Sequence, residues 1–265
     1  QISSTSSNPR FLTLGSINTL PWDLINLQNN SQLTISGFAK GGLNLASHGN
    51  FNIGSGSLLN VAAPVSSASG VGLRKTGLGI AVFSTGNIYS GPTEINGGTL
   101  AIAHANALGA IGEISFGGGT LQYNGIATDL SSRFSVAANQ TYSINTNGNN
   151  VAFATSLTSS GGSLHKSGAG TLTLNGSANT YSGRTTVSDG VLIVTGVLAA
   201  HSFDVANGAT LQSTNSLSAT GTNTINGLVK GNINFQSGAT MNGSGKVEGN
   251  VVVDNGIVSA GNSLG

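Results

Sequence analysis

Apolar and polar residues alternate one for one through most of the chain. Gln32–Gly37, Gly42–Ser47, Phe51–Ala63, Glu113–Tyr123 and Thr171–Gly176 all follow this pattern. So do Val191–Gly196, Ser202–Ser213, Asn232–Gly243 and Asn250–Gly261. A period of two marks strands with one face buried and one wet. Gly, Asn-Gly, Asp-Gly or Ser-Gly closes each run, which is turn chemistry. The period of 3.6 that marks an amphipathic helix is nearly absent. Only Leu20–Leu27 and His104–Gly112 would suit a turn or two of helix, or a loop. The chain is read as all-β.

Two architectures can use such strands. Asn-Gly between alternating runs is the usual signal for a hairpin, which predicts an antiparallel sandwich or barrel. A second feature favours stacking instead. A short unit recurs, in which one alternating strand passes through small polar residues into another. The step Asn/Asp-Gly-x-x-Leu, or an equivalent, returns at Asn96, Asp189, Asn207 and Asn255, with a Ser-Gly version at Ser237. This spacing predicts a right-handed parallel β-helix with coils of roughly 20 residues, stacked about 4.8 Å apart. The whole chain would then make on the order of thirteen rungs and a rod of roughly 60 Å. Leu, Val, Ile and Phe would fill a thin inner column, Thr and Ser would face outward, and Asn would form amide ladders at corners. Residues 1–68 are expected to form N-terminal coils or a cap, and residues 69–265 the repeat-containing part of one continuous solenoid.

Composition supports stacking. Only 6% of the 265 residues are charged, against roughly a quarter in ordinary soluble domains. Like charges one rung apart would repel, so a solenoid has reason to omit them. Glycine fills 41 positions and proline four. The formal charge of +1, without any run of Lys or Arg, gives no field for phosphates, so nucleic acid is not an expected partner. The chain has no cysteine, which removes disulfides, thiolate zinc sites and thiol catalysis. No run approaches 18 apolar residues, and the first ten residues lack the pattern of a signal peptide. Gly265 ends the sequence without a polar cap, so a longer natural protein is expected.

The chain also repeats itself on a longer scale. "KTGLGIAVFSTGNIYSG" (Lys75–Gly91) returns as "KSGAGTLTLNGSANTYSG" (Lys166–Gly183), with a one-residue insertion near Ala178. The match begins at Leu73 and Leu164. It continues through Thr93 and Thr185 to "NGGTLAI" (Asn96–Ile102) and "SDGVLIV" (Ser188–Val194). The copies occupy about 70–102 and 161–194, and long internal repeats are the signature of arrays. Shared by both are Lys75, Gly77, Gly79, Asn87, Tyr89 and Gly91, answered by Lys166, Gly168, Gly170, Asn179, Tyr181 and Gly183. The residues alone place the lysine at a coil corner with its stem on apolar surface, and the tyrosine as a cap on the column.

These residues resemble the passenger-associated transport repeat of bacterial autotransporters, the type V secretion systems. The second copy is close to that pattern, and the first departs from it at Ile80, Ala81 and Pro92. "ANALGAIGEISFGGGTLQYNG" and "GNVVVDNGIVSAGNSLG" are also similar to passenger sequence, with Ala260 where that family usually has Pro. The resemblance covers Ser69 to Gly265. It implies a β-helical segment exported through an outer-membrane β-barrel in cis and displayed on the bacterial cell surface. It further implies that the repeat aids secretion and folding, and it offers a second reading of Lys75, Lys166, Tyr89 and Tyr181, recognition by the secretion machinery or by the barrel. The expected role is stalk, adhesion or self-association. Partners would be a host-cell receptor, a matrix protein, a glycan or like molecules on neighbouring cells. A structural filament or surface-layer protein is the alternative, and a carbohydrate-active β-helix the distant one.

Catalytic chemistry finds little footing. His48, His104, His165 and His201 are scattered, with no HxH or HExxH spacing, and are expected at the surface. No Gly-x-Ser-x-Gly elbow occurs, and no Ser-His-Asp set can be assembled. Glycosidases need a close carboxylate pair, and Asp189 and Asp204 could lie on neighbouring rungs, with Glu248 near Asp254. Asp189 and Asp254 fit turns better. The calcium nonapeptide and the phosphate-binding loop are both missing. No enzyme activity, metal or cofactor is expected.

Overall fold

The computed structural model describes residues 2–4, 10–13, 25–36, 42–45, 47–199 and 202–259. Residues 20–24 of the first helix-or-loop candidate, His201, Asp23 and Ala260 lie outside them. So does the end of the chain at Gly265. The second candidate, His104–Gly112, is a turn with no helix. Among the described residues the only helical element is one turn of 3-10 helix, Ser131–Arg133. Everything else is strand, corner or loop, and every described strand pairing within each unit is parallel. Each unit is a parallel β-solenoid, and the antiparallel alternative does not hold.

Two units divide the chain, residues 1–126 and 127–265. In the first unit, strands at Ile25–Leu27, Gly49–Ile53, Leu73–Thr76, Thr93–Ile95 and Ile114–Phe116 stack into one sheet. Gln32–Ser36, Leu58–Val61, Ile80–Phe83, Thr99–Ile102 and Thr120–Tyr123 stack into another. Ile2–Ser4 and Arg10–Thr13 each extend one of these sheets. The chain visits these two faces in turn, and Leu43–Leu45 pairs with Val65–Ser67 on a third face.

The second unit has three faces. A coil such as Ser163–Ser167, Thr171–Leu174 and Ala178–Asn179 places one strand on each. The next coil follows at Arg184–Val187, Val191–Val194 and Val197–Leu198. Coils differ in length within the same chain: Asn26 and Asn52 are partners 26 residues apart, and Asn232 and Asn250 are neighbours at 18.

Alternation explains the core directly. In the first unit Leu33, Leu59, Ala81, Leu100 and Leu121 stand in register on successive coils, all buried. In the second, Leu172, Leu192, Leu211 and Val229 do the same. Each fully buried aliphatic side chain contributes about 1.5–3 kcal/mol. A column of them holds coils together without charge. Phe51 and Phe83 add an edge-to-face contact, ring centres 5.5 Å apart. Outside, the Asn52 amide donates to Asn26 Oδ1 at 3.3 Å, an amide ladder that runs along mid-strand positions and not along the corners where the sequence predicts ladders.

The Asn-Gly steps make corners, not hairpins. Thr93–Ile95 and Thr99–Ile102 flank Asn96–Gly98 yet belong to different parallel sheets. The Asn96 and Thr99 amides bond back to Lys75 and Gly79 on the coil before. Each strand is paired by its neighbours above and below, so the corner has no need to close a ladder on itself. Gly98 sits at φ +58, the left-handed region that favours glycine.

Candidate functional site

The residues shared by the two repeats converge on the corner that follows the first strand of a coil and on the loop that ends it. Lys75 lies in Leu73–Thr76 and Lys166 in Ser163–Ser167. Each has the parity of the leucine two residues before it, so each points inward, and both are 0% exposed. Their register neighbours are core residues. Phe51 and Ile95 flank Lys75, and Ile144 and Val187 flank Lys166. A lysine therefore occupies a position that other coils fill with Phe, Ile or Val.

Backbone carbonyls compensate the buried ammonium. Lys75 Nζ donates to the Thr76, Gly77 and Gly97 carbonyls at 2.8, 2.9 and 3.0 Å. Lys166 Nζ donates to those of Ser167, Gly168 and Asp189 at 3.0, 2.6 and 3.0 Å. All three protons of each ammonium are thus used. Two of the carbonyls come from the lysine's own corner, and the third from the next coil. Burial still lowers each amine from 10.5 to about 8; for Lys166 the charge of Asp189 opposes the shift.

Gly77 and Gly168 make the inward turn of those carbonyls possible. Their φ values are +71 and +72. A Cβ on Gly77 would lie 2.3 Å from the Ile53 carbonyl oxygen, and one on Gly168 2.1 Å from Asn145 Oδ1. Gly79, Gly170, Gly91 and Gly183 are likewise hemmed in by backbone of the coil before.

Asn87 and Asn179 tie coils together. Asn179 Oδ1 accepts from the Leu157 amide at 3.1 Å, and its Nδ2 donates to the Gly176 and Val197 carbonyls at 3.3 and 3.5 Å. One side chain thus joins the coil before, its own and the coil after. Asn87 accepts from the Val65 amide at 2.7 Å and donates to the Ala107 carbonyl. The tyrosines close the same loop from inside. Tyr89 meets Thr93 Oγ1 at 2.8 Å, and Tyr181 meets Thr185 Oγ1 at 2.6 Å, all four side chains buried.

Three further residues make similar clamps outside the shared set. Asn223, 0% exposed, accepts from the Phe203 amide at 2.8 Å and donates to the Thr240 and Gly221 carbonyls at 3.0 and 2.7 Å. Ser57 and Ser159 each accept from one amide and donate to one carbonyl across coils. Parity could have found Asn223, because it shares a face with Ile225, just as Lys75 does with Leu73. Nothing local marks the two serines.

The other candidate groups are dispersed. Glu94 meets Arg74 at 2.6 Å and His48 at 3.5 Å, and the Arg74 guanidinium holds its carboxyl below the ordinary value. Asp204 lies mid-strand opposite Thr186 and pairs with Arg184, while Asp189 sits at a corner and accepts from the Gly190 amide at 2.7 Å. Glu248 pairs with Lys246 at 2.7 Å. His104 Nδ1 accepts from the Asn106 amide, and His165 meets Ser188 Oγ at 2.7 Å. Among the described residues no three His, Asp or Glu side chains converge as metal ligands.

Comparison with known proteins lands on the same residues. Residues 73–102 and 164–194 match the passenger-associated-transport-repeat family. Over 146 residues the chain is 33% identical to the adhesin BmaC autotransporter of Brucella suis biovar 1 (strain 1330), which covers 55% of this chain and 4% of that protein. The chain thus spans a small fraction of that curated relative. No solved structure matches it. Each transport repeat contains one complete lysine corner and the asparagine and tyrosine of the loop that follows.

Proposed function

We propose that this chain is a β-solenoid segment of an autotransporter passenger, exported through the outer membrane and displayed outside the cell as an adhesive stalk. The observation that carries the reading is the coincidence of the two transport repeats with two matching buried constellations, one in each parallel-stacked unit. The similarity to an autotransporter adhesin supports it. Adhesion would use the outward hydroxyl and amide rows, against a host receptor, matrix protein, glycan or a like molecule on a neighbouring cell. The repeats would serve folding and secretion by making each new coil hold to the last. A chemical reaction forms no part of this role: Glu94, Asp204 and Glu248 are each engaged by a basic side chain.

The test uses the protein in its natural full length on the cell. An epitope inserted at Gly208, where a side chain meets nothing within 4 Å, should be labelled on intact cells. Purified chain should bind selectively on an array of glycans and matrix proteins. Labelling that requires permeabilised cells would overturn the display, and a chain that binds nothing would reduce the role to stalk.

A further inference from the structure

We propose that Lys75 and Lys166 are register keys, which select one alignment of a coil on its neighbour during folding. Alternation alone cannot do this. A one-residue slip of a strand turns its apolar set outward and is strongly disfavoured, but a two-residue slip returns the same face to the core. Most inner positions are interchangeable Leu, Ile, Val and Phe: Leu172 and Leu174 face Leu192 and Val194, so a two-residue slip would still set Leu172 against Val194, apolar on apolar. Coil length does not settle the alignment either, since coils of 26 and 18 residues coexist.

The lysine distinguishes these states. Its ammonium is fully inside the stack, and one of its three acceptors belongs to the next coil: Gly97 for Lys75, Asp189 for Lys166. The fit on that side is close. A Cβ on Gly190 would lie 3.0 Å from Lys166 Nζ, so this corner needs glycine as well as a carbonyl. Shifting the next coil by two residues removes the Asp189 carbonyl and brings another residue against the charge. A buried cation that loses an acceptor is costly, because nothing else in the core can solvate it. A single buried polar group fixes register in coiled coils by the same logic. The key therefore acts between coils, while the aliphatic columns supply the attraction.

Absence of native cysteine makes register directly readable. Thr171 and Val191 are Cα partners on adjacent coils, half-buried and facing outward. Thr171→Cys with Val191→Cys should form a disulfide in the native alignment. Thr171→Cys with Ile193→Cys should form one only after a two-residue slip, because unshifted Cα atoms are then too far apart to bridge. Both pairs are refolded from denaturant under reducing conditions and then oxidised, with Lys166 present and with Lys166→Met. With the lysine, the native pair should cross-link and the slipped pair stay at background. With Lys166→Met, the slipped pair should rise by about tenfold or more, the equivalent of one lost charge-assisted hydrogen bond. A slipped pair that stays at background in Lys166→Met would overturn the proposal, as would one that already forms beside the native lysine. A Lys166→Met chain that loses its β signal in circular dichroism would also overturn it, since the lysine would then be building the coil itself.

Discussion

The lysine ammoniums show how a single residue can depart from the rule of its position and be compensated locally. Each stands in an aliphatic column, and each is bonded by three carbonyls that two left-handed glycine corners turn inward. Burial lowers both amines to about 8, whereas an unfolded lysine titrates near 10.5. The folded chain releases these protons first, so between those values the unfolded chain binds more of them. Stability should therefore rise as pH increases from 8 to 10. Above that range Tyr181 reverses the trend, since burial raises its pKa and the unfolded phenol ionises first. Urea unfolding at intervals from pH 7 to 10 should show the rise, and the Lys75→Met, Lys166→Met double variant should be flatter. A wild-type curve that falls from pH 8 to 10 would contradict the burial. Parity in "LRK" and "LHK" places the lysine on the leucine's face, so its inward direction was legible. The carbonyls were not, because they come from a corner and from a coil distant in sequence.

Elements here are short, and none would stand alone: strands of two to five residues pair only because a coil lies above and below. The asparagines at the ends of coils supply cohesion that the strands lack. Asn179 bonds across three coils in a fully buried position. Asn179→Ala should cost about 1–3 kcal/mol, because a buried amide and two carbonyls lose their partner. Asn26→Ala, which removes a half-exposed rung of an amide ladder, should cost about 0.5 kcal/mol or less. Denaturant midpoints of the two variants separate these cases, and equal losses would contradict the clamp. Strand positions were readable from alternation, down to most of the runs from Gln32 to Val258. The pairing was harder. "NGG" at Asn96–Gly98 fits a hairpin and a coil corner equally well, and only the recurrence of the unit favoured the corner. His104–Gly112 has helix-compatible residues but turns instead, because Gly109 and Gly112 take positive φ against the coil before.

At the scale of the molecule, few charges, no cysteine and a repeated polar signature accompany two units of stacked coils, each held by columns, corners and amides. The long internal repeat carried most of the family resemblance, and the matched segments 73–102 and 164–194 coincide with it. Asn223 lies outside both copies, and only its shared face with Ile225 separates "TNTI" from an ordinary strand. The fold hides Lys75 and Lys166 and leaves Lys230 and Lys246 outside. Acylation of the native chain at pH 8, resolved by peptide mass, tests this most directly. Lys230 and Lys246 are exposed and should react at once, whereas Lys75 and Lys166 should react only when the chain is unfolded, despite amines that burial has made less basic. Labelling of Lys75 or Lys166 at the rate of Lys230 in the native chain would contradict the buried corners, and with them the solenoid as described.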